Sequence, residues 1–263
     1  MAETARLQPE RVPGESAFWD RQARSFSTSW PAERMRSDPF LAALRRHTPR
    51  TGTALDVGAG AGRFTLTLAP HVGGVTALDA SPAMLRALRR RSREDHITNV
   101  TTVVGRWPEV QVEPADVCFS SFVMTLVADG AAFVAAMDAA ARRRVLLYLG
   151  AYSNDALLDP LWRHFHGRPR CPGPTYLDAL GVIRQLGIQP AVRVVPMASR
   201  SRFVDLDEAV KEYANALMVP KGRSPKAELR QLLSHWLVSY RGHLVPPVRT
   251  IAGAIIDWIP GQR

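Results

Sequence analysis

Short apolar runs alternate with amphipathic stretches through most of the chain, and the alternation predicts strands interleaved with helices. The run 54–57, with Asp56 as its one acid, reads as a buried parallel strand, and residues 63–71, carrying Phe64, Leu66 and Leu68, open a helix after it. Residues 75–79 form a second strand ending in Asp79, and Ser81 and Pro82 mark a helix start with a hydroxyl cap and a first-turn proline. The β-branched run 100–104 predicts strand three, 115–121 strand four and 144–149 strand five, with a helix over 131–141. Upstream, Phe18, Trp19, Ala23 and Phe26 share one helical face within 16–30, and a further helix starts at Asp38. Downstream, 176–186 is an amphipathic helix ended by Gly187, 191–196 a sixth strand, 206–218 and 225–240 two helical patterns, and 249–258 a last strand. Residues 151–174, rich in proline, arginine and aromatic side chains, are too irregular for one regular element.

The chemistry is concentrated between the first strand and its helix. Gly58, Gly60 and Gly62 make a loop whose backbone can approach a ligand closely, and the helix start behind it favours an anionic group. A dinucleotide fingerprint would need its third glycine where Arg63 stands, and the Gly-Lys-Ser/Thr of a phosphate loop does not occur. An acid at the tip of the second strand, about 20 residues past the glycines, is where a ribose diol is usually held, and Asp79 occupies that place.

Asp-Val-Gly-Ala-Gly-Ala-Gly over 56–62, with Asp79 and the Ser-Pro-Ala-Met of 81–84 behind it, resembles the class I S-adenosylmethionine-dependent methyltransferases, well over residues 15–150 and loosely beyond. The resemblance implies an α/β Rossmann-like three-layer sandwich. Its mostly parallel seven-stranded sheet would run the last strand antiparallel between strands five and six, making 206–240 a helical insertion before that strand. It implies S-adenosyl-L-methionine as cofactor, held by Asp56, Gly58, Ala59, Gly60, Gly62, Asp79, Ala80 and Met84. Ser120 and Ser121, with Phe122, stand where the family makes backbone contacts to the methionine part and the transferred methyl. Where family members often carry an acid for the adenine amino group this chain has Arg106, and Trp107 offers an apolar face for the adenine or a loop anchor. The family's N-terminal helix covers the cofactor, and Trp19 in cap helices 16–47 fits that cover and fits a core position equally.

Composition narrows the field further. A chain of 263 residues, 46% hydrophobic, can bury a sizeable core, and it reads as a disordered 1–15 followed by one domain over 16–263. No stretch approaches the roughly 18 apolar residues of a membrane span, no apolar signal core follows the N-terminus, and Cys118 and Cys171 form neither a disulfide framework nor a metal-type pair. These readings point to a cytoplasmic protein, monomer or homodimer, without a metal. The net charge of +10 is almost entirely arginine, since lysine occurs only at 211, 221 and 226. Without interleaved aromatics the arginine runs read as solvated helix faces rather than a nucleic-acid surface.

Methyl transfer from a sulfonium is an in-line displacement that needs positioning more than a catalytic motif. If a base is needed, His164 and His166 are the candidates, in a segment 151–174 that leaves strand five and reads as a lid over a small-molecule acceptor. The amino-adenine nucleic-acid enzymes would carry Asn/Asp-Pro-Pro-Tyr/Phe after strand four, and this chain has Ser-Ser-Phe-Val there. A nucleic-acid methyltransferase and a non-catalytic cofactor-binding protein are the alternative readings.

Overall fold

The computed structural model describes residues 19–20, 35, 37–151, 157–171, 173–198, 201–248 and 250–262. The expected disordered stretch 1–15, and the expected helix 16–30 apart from Trp19 and Asp20, lie outside the described residues. Contacts gather the chain into two compact units, one of residues 1–151, 174–195 and 253–263, the other of 152–173 and 196–252.

The first unit is built in chain order from α1 (Pro39–His47), β1 (Thr53–Val57), α2 (Thr65–Leu68), β2 (Gly74–Asp79), α3 (Pro82–Glu94), β3 (Val100–Val104), β4 (Ala115–Ser121), α4 (Gly130–Ala139) and β5 (Ala141–Gly150). α6 (Tyr176–Gln185), β6 (Ala191–Ala198) and β9 (Thr250–Trp258) complete its sheet and helices. The seven strands take the order β3-β2-β1-β4-β5-β9-β6, parallel from β3 to β5, with β9 antiparallel to β5. This is the sheet the resemblance implied, with the last strand in its implied place.

Alternation along the strands sorts side chains to two faces. Leu55, Val57, Leu78, Leu147 and Leu149 pack with Phe133, Val134, Met137, Ala179 and Ile183 from α4 and α6. On the other face, Ala77 meets Leu85 and Leu88 of α3, and Tyr148 stacks on Phe40 of α1 with ring centroids 4.8 Å apart. Central strands covered on both faces carry continuous apolar runs, which is why they were readable. Helix ends follow their caps. Asp38 accepts from Phe40 N, Ser81 from Met84 N, and Thr175 forms a capping box with Asp178.

The second unit holds α5 (Asp159–His166), α7 (Leu206–Ala216), α8 (Arg223–Trp236) and a hairpin of β7 (Val238–Tyr240) and β8 (His243–Val245). Its own core joins Leu161, Trp162, Val210, Tyr213, Leu229 and Leu233. Two readings are corrected here. The helical pattern expected to run to Tyr240 ends at Trp236, because β-branched Val238 and aromatic Tyr240 pair with Val245 and His243 across a two-residue turn. Arg241 and Gly242 both take positive φ in that turn, the backbone of a tight hairpin. The segment 151–174, read as irregular, contains α5, with Pro160 in its first turn and Gly167 in the left-handed conformation closing it. Lid and insertion, expected as separate parts of one domain, belong to one unit.

Candidate active site

The loop after β1 is folded back onto β2. Gly58 N and Ala59 N both donate to the Leu78 carbonyl, at 2.8 and 2.9 Å. All three glycines take positive φ, but only two face protein. A Cβ on Gly58 would stand 2.3 Å from Val123 Cγ2, and one on Gly62 2.9 Å from Leu88 Cγ. At Gly60 the nearest atom would be Met84 Sδ at 4.0 Å, so this glycine faces open space. Gly60 N donates to Asp79 Oδ2 at 2.7 Å and Ser81 N to Asp79 Oδ1 at 2.8 Å. The acid at the tip of β2 thus fixes both the glycine loop and the start of α3. Burial raises the Asp79 carboxyl above its ordinary range, while the Ser81 and Gly60 N–H groups pull the other way.

Asp56 lies beneath the loop, 2% exposed. Thr65 Oγ1 donates to its Oδ2 at 2.6 Å, and its Oδ1 is buried with no hydrogen-bond partner among the described residues. Burial pushes the Asp56 carboxyl up to about 7, with the Thr65 hydroxyl opposing and the Asp79 charge adding. On the neighbouring strand, burial first and Asp56 second push the Cys118 thiol up, the opposite of what a nucleophilic cysteine needs.

Trp19 and Asp20 reach the same place from the N-terminal segment. Trp19 packs against the cluster of Ala61, Met84 and Ala87. Asp20 Oδ1 accepts from Ser81 Oγ at 2.5 Å and from Ala83 N at 3.1 Å, a second cap on α3. The sequence reading placed Trp19 here but missed Asp20, whose signal was its position next to that tryptophan. It also missed an aromatic wall at the tips of β4 and β5. Phe122 takes φ +60 and donates its N–H to the Tyr148 carbonyl at 2.8 Å. Arg63 Nη2 meets Asp38 Oδ2 at 2.9 Å, with its guanidinium 4.5 Å from the Phe64 ring centre. Asp38 therefore caps α1 with one carboxylate oxygen and holds Arg63 with the other.

The remaining candidate residues are placed as follows. Ser120 is buried and its Oγ donates to the Val57 carbonyl at 2.7 Å, tying β4 to β1, while Ser121 is partly exposed at the strand's tip. Ala80 is partly exposed between Asp79 and the Ser81 cap. Trp107 Nε1 donates to the Phe133 carbonyl at 3.2 Å, anchoring its loop to α4, and exposed Arg106 lies 3.8 Å from Glu109. His164 and His166 belong to the second unit: His164 Nε2 pairs with Glu228 Oε1 and His166 Nε2 with the Leu217 carbonyl, each at 2.8 Å. Among the described residues no group of three or more His, Cys, Asp or Glu could hold a metal ion, and no helix is long and apolar enough to cross a membrane.

Comparison with known proteins agrees with the fold. Residues 54–144 match the family described as "Methyltransferase domain". An uncharacterized protein of Haemophilus influenzae is 31% identical over 147 residues, and the match spans 55% of this chain and about half, 54%, of that relative. The YcgJ protein of Bacillus subtilis shares the fold with a TM-score of 0.54 at 15% identity, covering 85% of this chain and 98% of its own. Magnesium protoporphyrin IX methyltransferase from Synechocystis, solved with bound S-adenosylhomocysteine, does so with a TM-score of 0.50 at 13% identity, covering 92% and 83%. Precorrin 8W decarboxylase from Methanobacterium thermoautotrophicum is similar to the same degree, TM-score 0.50 at 14% identity over 83% and 88%. At these identities the likeness is one of fold.

Proposed function

We propose, from a chain whose residues 54–144 match a methyltransferase domain, that the protein is an S-adenosylmethionine-dependent enzyme of the class I type acting on a small-molecule acceptor. The observation that carries the reading is the loop of Gly58, Gly60 and Gly62 with Asp79 bonded to its middle amide. The residues present fit the cofactor on two counts. Gly60 leaves room where a Cβ would intrude, and the buried Oδ1 of Asp56 lacks a partner among the described residues. The glycine loop would carry the amino-acid part of the cofactor, Asp79 would receive the ribose hydroxyls, and Trp19 with Met84 would bound the site from the α3 side.

When bound, the cofactor supplies an electrophilic methyl group on a sulfonium sulfur. What the chain contributes is orientation, and well-aligned reactants can lower a barrier by roughly 7–11 kcal/mol. The backbone at Ser121 and Phe122 and the ring wall behind it suit the methyl end, being set by the β4–β5 pairing rather than by a loop. An acceptor that is protonated at attack must lose that proton, and His164, oriented by Glu228, or His166 is the candidate to take it. Neither is a member of a nucleic-acid signature. The Ser-Ser-Phe-Val at the tip of β4 and the buried Cys118 thiol both favour the small-molecule reading over base methylation.

Three experiments test this reading. Purified full-length protein is supplied with S-adenosylmethionine and fractions of small metabolites or RNA, and release of S-adenosylhomocysteine is followed. Release that depends on a metabolite fraction is expected, and release that depends only on RNA would replace the acceptor class. Asp79→Ala should weaken S-adenosylmethionine and S-adenosylhomocysteine alike by about tenfold or more, the scale of one good hydrogen bond to a charged group. His164→Ala and His166→Ala should lower turnover while sparing cofactor affinity. Loss of cofactor affinity in step with stability would make these histidines packing groups of the second unit.

A further inference from the structure

The buried run 145–149 of β5 carries a single polar side-chain atom, the hydroxyl of Tyr148. Tyr148 is fully buried, and its hydroxyl has no hydrogen-bond partner among the described residues. An unpaired buried hydroxyl destabilises a fold, and phenylalanine would fill the same place without that cost.

Where the hydroxyl points follows from β9. Tyr148 stands opposite Ile255, and Gly150, two residues further along β5, stands opposite Gly253. A Cβ on Gly253 would fall 2.8 Å from Tyr148 Cε2 and 3.2 Å from its hydroxyl oxygen. The phenol therefore lies over Gly253 and leans toward the C-terminal end of β5. That is the end outside which open α/β sheets bind their ligands. The walls around it are rings. Phe40 stacks on the phenol at 4.8 Å, and half-buried Phe122, just past the tip of β4, has its ring centre 5.1 Å away. The nearby charges are matched, since Asp38 and Arg63 pair at 2.9 Å with the guanidinium 5.9 Å from the Tyr148 ring centre. Burial first and the Asp38 charge second push the phenol up, with Arg63 opposing, so it stays protonated at neutral pH. The cluster thus holds one neutral O–H among aromatic walls, one ring behind Phe122.

We propose that the Tyr148 hydroxyl is a specificity-determining contact for the methyl acceptor, hydrogen-bonding an uncharged oxygen or nitrogen of a largely apolar small molecule seated beside Phe122. The inference rests on the small-molecule reading above and names the chemistry this side of the site accepts. An acceptor lacking that atom leaves the hydroxyl unpaired, and a buried polar group left unpaired discriminates far more strongly than a missing methylene does. A charged acceptor atom finds no net charge to meet it, because the Asp38–Arg63 pair is already closed. Tyr148 orients the acceptor and takes no part in the displacement itself.

The test is Tyr148→Phe in the full-length protein, with three readouts beside wild type. These are thermal unfolding without ligand, calorimetry of S-adenosylmethionine, and S-adenosylhomocysteine release titrated with the small-metabolite fraction that supports it. The variant is expected to unfold at or above the wild-type temperature and to bind S-adenosylmethionine unchanged. The amount of fraction giving half-maximal release should rise at least about tenfold, the scale of one hydrogen bond, with the maximal rate changing less. A lower unfolding temperature would mean that the hydroxyl already has a partner inside the protein, and would overturn the inference. An unchanged half-maximal amount would overturn it too, as would a loss of S-adenosylmethionine affinity, which would assign the hydroxyl to the cofactor. In each of these cases wild-type release leaves the enzyme reading standing. Wild-type protein that releases S-adenosylhomocysteine with no small-metabolite fraction would overturn both.

Discussion

Gly58→Ala is expected to cost the protein roughly 2–5 kcal/mol of stability, adding an overpacked contact to a left-handed backbone. The new Cβ would fall 2.3 Å from Val123 Cγ2, with two more Val123 carbons at 3.3 Å, at a backbone φ of +76. Valine is stiff about its first side-chain torsion and cannot swing aside cheaply. Thermal unfolding should drop by about 5–15 °C for a domain of this size. Gly60→Ala makes the informative contrast. Its φ is +54 but its Cβ would meet nothing closer than Met84 Sδ at 4.0 Å. The stability cost should stay near 1–2 kcal/mol. The added methyl instead occupies the side left for the ligand, and cofactor affinity should fall at least about tenfold, or 1.4 kcal/mol. Thermal denaturation and ligand calorimetry on the two variants separate packing from binding. A Gly60→Ala protein that binds like wild type would mean that this glycine does not face the ligand.

Asp56→Asn should change how stability depends on pH. The folded carboxyl is pushed up to about 7 from an ordinary value of 3.8. The folded state therefore holds a proton that the unfolded chain releases between those limits. By linkage, this group's contribution is fully present below about pH 4 and is lost as the pH rises through 7. A shift of this size corresponds to about 4 kcal/mol at 1.36 kcal/mol per unit. Denaturant unfolding at pH 5 and pH 8 should show wild type losing stability toward the higher pH relative to Asp56→Asn, with the gap between the two widening by a few kcal/mol. A constant gap would mean that Asp56 is charged throughout. A ligand-binding reason for retaining an acid here is consistent with that cost, since a buried unpaired carboxyl contributes nothing to packing that asparagine could not.

Much of the first unit was legible because its physics is local. β1, β2 and β4 are covered on both faces and so are apolar along their length, and the glycines mark the loop that must turn over β2. Ser81 and Pro82 announced α3 through its cap. The place of β9 between β5 and β6 was not readable from its residues and came from the family resemblance alone. Residues whose role depends on a distant partner were missed. Asp38 shows a helix cap in the sequence, but its grip on Arg63 spans 25 positions. Asp20 meets Ser81 across 61 positions, and no periodicity records that. In the second unit the errors came from mixed signals. Prolines and arginines at 160–170 masked the apolar pair Leu161 and Trp162 that anchors α5 to its core. At 237–240 a helical rhythm concealed the strand that leads into the Arg-Gly turn of the hairpin. The arginines Arg86, Arg89, Arg90 and Arg93 are exposed along α3, whereas Arg91 donates to the Ala61 carbonyl at 3.4 Å and Arg144, on β5, pairs with Asp257.

The central claim is that the cofactor is held by the loop after β1 and the start of α3. Amide hydrogen exchange of the full-length protein with and without saturating S-adenosylhomocysteine tests it most directly. Ligand should slow exchange at Gly58, Gly60 and Gly62, and again from Asp79 through Met84, where Asp79 already draws the two stretches together. Bound ligand that leaves both stretches unchanged, with protection confined to other parts of the chain, would contradict it.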